Sequence, residues 1–488
     1  MQTTTNASTE RFTFLAEALN GTGGFAPSVL HTVDAGGLSK PWAVTSKCHL
    51  IPYPRENGLK FAARAATAVY ENHLRAACER FCGYISKRAP LREGLENPLV
   101  KTIVQDADWA NNHIDIFWHS FMIEAKARGS MLLLIELPAE QGDTMADTIT
   151  RRLVPYLTAI EPERVTGFEL NERKRFKWVK ISACTMINGK ETPVDRYWDA
   201  HEWRIMQGER VLETGTHPFG ECPVLAFTES GAYPHIGNFA QIADISRRIY
   251  NATSERDEIL RGQTFSVLAY QIPSERASAF SAADIAANIG VHNMLIHEGD
   301  TPAFIAPSDG PANVYAQAIE SLQGSIRRIS FAMDQGDRVS NAAESGVAIA
   351  IRFQGLNAAL GTFAQHMQDL ELRMWELISR YMALQAPPSV QWASDYAITD
   401  IERELTILAA MQATGFPAQA LVEQRKRIAG QAFDSLDEED LAEVLDAIEQ
   451  AQQEAPNPLE PNDNTGTETT GQEAGDGTET DQTQQKAS

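Results

Sequence analysis

The sequence predicts an α+β chain, predominantly helical, and three observations lead there. Long amphipathic patterns lie at 58–85 and 108–128 and again from 311 to about 452. Between about 150 and 228, short strand-like pieces alternate with turns. Two helical patterns of matched length then flank a β-rich insert of about 48 residues.

Residues 1–50 are mixed and Gly-rich, and the pattern assigns no firm element there. From Gly58 to Ile85 the spacing of Phe61, Ala65, Val69, Leu74, Cys78 and Phe81 predicts one helix, closed by Ala89-Pro90. Residues 108–128 give a second helix, with Gly129 as its stop. The run MLLLIEL at 131–137 is short, apolar throughout and bounded by turn residues, which predicts a buried strand. Strand pieces follow at 175–181, 194–198 and 203–206, and HPFGECPVLAF at 217–227 reads as a turn leading into another strand. A continuous helical pattern covers 238–262, with Phe239, Ile242, Ile245 and Ile249 on one stripe, roughly 37 Å long. The insert at 263–310 reads as strands around a short helix. A second long helix spans 311–333, opened by Pro311 in the favoured first turn.

The next stretch, 334–344, is unusual because it holds Gln, Gly, Asp, Arg, Ser and Asn with only Val339 to anchor it. Packed helices need only a few residues between them, so a longer polar link is either a plain solvent-exposed linker or acts on something outside the fold. The helix at 345–384 carries Leu356, Leu360, Phe363, Met367, Leu370, Met374, Leu377 and Tyr381 at alternating spacings of four and three. That spacing suits a coiled-coil seam and equally suits packing on the helix's own domain. Pro387-Pro388 ends it, SVQWA reads as a strand, Thr399-Asp400 as a cap, and helices run on to about 452. The tail, 453–488, is low-complexity and expected to be disordered.

The 65 acids and 42 bases give a formal charge of −23. The tail holds eight acids and one base, so the remainder still carries 57 acids against 41 bases. Gripping phosphates needs clustered Lys and Arg, which argues against a conventional nucleic-acid binder. Five scattered cysteines make no disulfide framework, and Cys78 and Cys82, one helical turn apart, read as core thiols. The N-terminus shows no signal-peptide pattern, and no apolar run reaches about 18 residues, so a reduced, soluble, intracellular chain is expected.

No phosphate-cradling P-loop, dinucleotide fingerprint, nucleophile elbow or zinc-binding spacing is present, and neither an enzyme nor a cofactor or metal site is expected. The most tempting metal constellation is HIDIFWH at 113–119. On the helix expected over 108–128, His113 and Asp115 lie about 200° apart and cannot share an ion.

Four stretches, in this order, carry a resemblance to the portal (head-to-tail connector) proteins of tailed bacteriophages, over roughly residues 50–450. They are GLKFAARAATAVYENHLRAACERFCGYISKRAP (58–90), WANNHIDIFWHSFMIEAKARGSMLLLIELP (109–138), HPFGECPVL (217–225) and QWASDYAITDIERELTILAAMQATG (391–415). The resemblance implies a wing from 1–236 and 345–400, stem helices at 237–262 and 311–333, and an α/β clip at 263–310. It also implies a tunnel loop at 334–344, crown helices at 401–452 and the acidic tail beyond. In that family such a loop projects into a channel. Gln335, Ser340 and Asn341 would touch double-stranded DNA weakly, Arg338 would meet one phosphate, and Asp337 would repel the backbone along with Asp334 and Glu344. A net-acidic lumen would let DNA slide without sequence specificity.

The implied partners are copies of the chain in a ring, usually a dodecamer, at one capsid vertex of the virion, assembled in the host cytoplasm. The terminase large subunit, a head-completion or adaptor protein, and the major capsid and scaffolding proteins would dock on it during DNA packaging and ejection. Two readings of other classes stand beside this one: an acidic minor capsid or adaptor protein without a channel, and a metal-dependent hydrolase.

Overall fold

The computed structural model describes residues 6–140, 142–187, 189–264, 267–271, 294–297, 303–305, 310–331, 346–396, 401–432 and 438–453. It is a mixed structure, 50% helical and 21% strand. Two compact units divide it, Met1–Ala397 and Ile398–Ser488.

The first unit opens with helix α1 (Asn6–Asn20) and the hairpin β1 (Val29–Val33) and β2 (Ser39–Val44), none of which the pattern assigned. The single helix expected over 58–85 is two, α2 (Gly58–Thr67) and α3 (His73–Ser86). The break has a local cause. The Asn72 side chain caps α3 by accepting from Arg75 N–H at 2.9 Å. Tyr70 turns inward to stack on Phe25, ring centroids 4.0 Å apart, and its hydroxyl donates to Ala18 O at 2.9 Å. Strand β3 (Leu91–Glu93) and helix α4 (Pro98–Gln105) follow. Helix α5 (Ile114–Arg128) begins later than the pattern suggested, because Trp109 and Asn111 adopt positive φ in the loop before it.

Strand β4 (Ser130–Glu136) explains its own apolar run. It lies between β5 (Tyr156–Ile160) and β11 (Val224–Thr228), antiparallel to both. Its two faces bury into different cores: Met131, Leu133 and Ile135 join the large helical core, and Leu132 and Leu134 join a smaller one. A strand covered on both sides has no polar face to show. The smaller core sits against β6 (Val165–Leu170), β7 (Phe176–Ile187), β8 (Lys190–Trp198), β9 (Glu202–Gln207) and β10 (Arg210–Thr216), a five-stranded antiparallel meander in the order β10-β9-β8-β7-β6. The short helix α6 (Met145–Thr150) lies between β4 and β5.

Helix α7 (Ala240–Thr264) and helix α8 (Gly310–Ile329) match the two long helices expected. Between them β12 (Val267–Gln271) is central, parallel to β13 (Met294–His297) and antiparallel to β14 (Ala303–Ile305). Helix α9 (Gly346–Met382) follows, then β15 (Ser389–Gln391), which pairs with β3. The four-three seam on α9 is buried in its own unit: Leu360, Met367, Met374 and Leu377 are fully enclosed in the large core. The heptad spacing therefore records intramolecular packing. Cys78 and Cys82 are enclosed in that core too, and burial raises both thiol pKa values.

The second unit holds α10 (Ile401–Ala413), α11 (Ala418–Ala432) and α12 (Glu438–Gln453). Glu404, 6% exposed, accepts from the Gln424 amide, and Lys426 pairs with Glu449 at 2.8 Å. The expected cap at Thr399-Asp400 and the tail from 454 lie outside the described residues.

Candidate functional site

The feature that demands a function is the α7–α8 pair, so its anchoring is built first. Helix α5 ends where Gly129 takes the left-handed conformation, φ 83°. The chain entering α7 crosses that point so closely that a Cβ on Gly129 would stand 1.9 Å from Gly237 N. Gly237 N–H donates to Arg128 O, and Glu229 N–H to Gly129 O, each at 3.0 Å. Ser130 Oγ donates to His235 O at 2.7 Å and accepts from His235 N–H at 2.8 Å. The crossing is therefore a backbone weld.

A buried cation sits beside it. Lys126, its side chain 5% exposed, places Nζ 2.7 Å from Glu229 Oε1 and 3.3 Å from Asn238 Oδ1. The rings of Phe81 and Phe239 lie 4.3 Å from that ammonium and the ring of Phe363 5.5 Å away. Cation–π attraction and one desolvated ion pair thus join α3, α5, α9 and the segment leading into α7 at one point. Two residues on, Arg128 donates to both oxygens of Glu163 at 2.9 and 2.7 Å and pairs with Glu124. Burial opposes the Arg128 charge, but the two carboxylates more than offset it and hold its pKa above the usual arginine value.

Along its length α7 is latched by earlier segments. Both terminal guanidinium nitrogens of Arg11 reach the Asp244 carboxylate at 2.7 Å. Asn251 accepts from Ile51 N–H at 2.8 Å and donates to His49 O at 3.0 Å. Arg64, only 2% exposed, pairs with Glu56 at 2.8 Å and reaches Ser254 Oγ at 3.3 Å, while Lys60 pairs with Glu258 at 3.1 Å. Helix α8 is held differently. Ala312, Ile319 and Ile326 bury one stripe, and the Tyr315 hydroxyl donates to Glu255 at 2.8 Å. Tyr315 stands near the start of α8 and Glu255 in the later half of α7, as an antiparallel pair requires. The other flank of α8 is exposed, with Val314 at 64%, and the helix carries only Glu320, Arg327 and Arg328 as charges. On α7 four acids face four arginines, so the pair as described is not acidic.

The loop expected to touch DNA, with Gln335, Asp337, Arg338, Ser340 and Asn341, lies outside the described residues. Its described flanks meet one core: Ile326 and Phe331 on the α8 side, Phe353 and Leu356 on the α9 side. The expected α/β insert is described only in its three strands.

His113 and Asp115 do not share the helix that the 200° separation supposes: His113 is the N-cap of α5, φ −57° and ψ 148°, outside it. Its Nδ1 accepts from Asp115 N–H and sits 3.3 Å from the Asp115 carboxylate. Asp115 is committed to Arg92 at 2.7 Å, and His119 Nδ1 lies 2.7 Å from Ser86 Oγ. Among the described residues no group of three or more His, Cys, Asp or Glu could hold a metal ion. No helix among them is long and apolar enough to cross a membrane. Sequence reasoning missed Lys126 and Glu229, which lie far apart in the chain. The one available signal was Gly129, read only as a helix stop.

No family model matches the chain, and no curated protein matches it. Among solved structures it is similar to a chain in the virion of the native gene transfer agent (GTA) particle, at 11% identity and TM-score 0.40, covering 73% of this chain and 89% of that one. It is similar to a chain in the neck of the empty GTA particle with C6 symmetry, at 12% identity and TM-score 0.39, covering 73% and 88%. A chain in the neck of the native GTA particle with C12 symmetry gives 12% identity, TM-score 0.39 and coverage of 73% and 89%.

Proposed function

We propose that this chain is a non-catalytic portal subunit. Identical copies close into a ring, a dodecamer on the family pattern, at one vertex of a phage-type capsid. Double-stranded DNA enters and leaves through the bore. In this reading α7 and α8 are the stem, the β12–β14 unit is the clip that meets the terminase large subunit and then a head-completion protein, and 334–344 is the tunnel loop. The four stretches that resemble portals support it. The observation that carries it is the asymmetry of the helix pair: α7 is fastened to its own unit, while α8 presents an exposed flank centred on Val314 with few charges. Such a flank suits burial against a neighbouring copy, because closed rings use one heterologous contact repeated.

Negative-stain microscopy of the purified full chain tests this directly. Rings with an axial hole are expected, and Val314→Glu is expected to abolish them while the monomer's melting temperature holds. A wild-type chain that stays monomeric at every concentration overturns the proposal. Arg338→Ala is expected to leave rings intact and change DNA packaging or retention in assembled particles; failure of the rings themselves would remove Arg338 from the bore.

A further inference from the structure

The turn between β6 and β7 reads Asn-Glu-Arg-Lys-Arg over 171–175. Asn171 Oδ1 accepts from the backbone N–H groups of Arg173 at 2.9 Å and Arg175 at 3.1 Å, and Lys174 takes φ 60°. This tight turn sets three successive cations on the wall of a cavity of about 460 Å³, closed on other sides by β11 and the Asp369–Arg373 face of α9. At its side Glu221 is claimed three times: by Arg373 at 2.9 Å, by Arg380 at 2.7 Å and by Arg175 at 3.5 Å. Burial works to raise the Glu221 pKa, and Arg373 and Arg380 more than reverse it, so a full carboxylate stands there.

The cations still outnumber the acids. Arg173, Lys174, Arg175 and Arg373 line the cavity against Glu221 and Asp369. Arg173 and Lys174 are both exposed, and neither makes an ion pair with any described residue. Further along β7 the pattern changes: Lys177 is matched by Glu169 at 2.7 Å and Lys180 by Asp195 at 2.9 Å. A chain of net charge −23 thus leaves two unmatched cations over one concavity and matches the next two.

We propose that this cavity is a binding site for an acid-rich peptide segment of a partner protein, whose carboxylate side chain enters between Arg173 and Lys174. A guanidinium fork meets a carboxylate with two parallel hydrogen bonds, and the neighbouring ammonium adds a point charge. Charge complementarity selects a peptide over nucleic acid. A duplex carries a negative charge about every 1.7 Å of its axis and needs a stripe of cations to follow it, whereas the excess here ends within one cavity and Asp369 stands at its wall. The site is independent of ring formation and stands whether or not the chain forms a channel.

Fluorescence anisotropy of a labelled hexaglutamate peptide against the purified full chain tests it, with an equally labelled DNA duplex as comparator. The double charge reversal R173E/K174E is expected to weaken the peptide by about tenfold or more. Its melting temperature should match wild type, since neither side chain has a partner to lose. The exposed pair K190E/R210E, elsewhere on the same sheet, is expected to leave peptide binding unchanged. The proposal falls if hexaglutamate does not bind, if R173E/K174E binds it as well as wild type, or if both double variants lose equal affinity. Tighter binding of the duplex through Arg173 and Lys174 would likewise overturn the peptide assignment.

Discussion

Helices α7 and α8 lie side by side, yet the molecule treats them in opposite ways. The first is fixed at its root by a backbone weld and the Lys126 cage, and along its length by Arg11, Arg64 and the Asn251 bonds to Ile51 and His49. The second buries a stripe of three residues and donates from the Tyr315 hydroxyl to Glu255 of α7. These contacts reach α7 from segments that precede it in the same chain, so its position follows from the fold of one chain. Helix α8 leaves a flank to be settled by something else. Under the proposed function, that flank is the surface a neighbouring copy would cover.

The largest expected effect lies at the weld. Gly129→Ala puts a methyl group 1.9 Å from Gly237 N in a left-handed conformation that already disfavours side chains. No rotamer change relieves a backbone clash, so a loss of more than about 4 kcal/mol in urea unfolding is expected. A variant within about 1 kcal/mol of wild type would show that α7 enters elsewhere.

Next comes the caged cation. Lys126→Ala leaves Glu229, 12% exposed, with a stranded charge, and should cost about 3–5 kcal/mol. The pair is separable from its aromatic surround. Lys126→Met with Glu229→Gln removes both charges and fills the cage, so it is expected to recover most of that loss. If the double variant is as unstable as the single one, filling the volume and removing the stranded charge do not suffice, and the attraction of the ammonium to Glu229 and the rings itself carries the stability.

How much of this contrast the sequence disclosed follows from what side-chain periodicity can carry. The lengths of α7, α8 and α9 were legible because amphipathic stripes repeat every turn. The burial of β4 was legible because a strand enclosed on both faces has no polar alternation. The break at Val69–Glu71 was not, because Tyr70 serves a stacking contact with Phe25 from a segment that itself had no assignable pattern. The seam on α9 was read correctly as a seam, but spacing alone does not say which chain fills it. The Lys126–Glu229 pair was invisible because its partners are distant in sequence and a single lysine on an apolar helix carries no spacing signal. The place of His113 was hidden for the opposite reason: the helical pattern runs back past it, while α5 begins one residue later.

The smallest effect sharpens the comparison from the α8 side. Tyr315→Phe removes the hydroxyl that donates to Glu255 and should cost about 1 kcal/mol near neutral pH. Its pH dependence identifies the bond. The hydrogen bond to Glu255, and then burial, push the Tyr315 pKa up to about 12. The phenol of an unfolded chain ionises near 10. The folded value is the higher of the two, so the stabilisation is complete below about pH 10 and is lost as pH rises through about 12. Tyr250 and Tyr396 are also raised to about 12, both by burial, so wild-type stability alone falls for several reasons in that window. The difference between wild type and Tyr315→Phe cancels those contributions. Urea unfolding of both proteins at stepped pH should show a constant gap up to about pH 10 that closes toward pH 12. A gap that stays open at pH 12 would mean the hydroxyl acts by packing and not through its bond to Glu255.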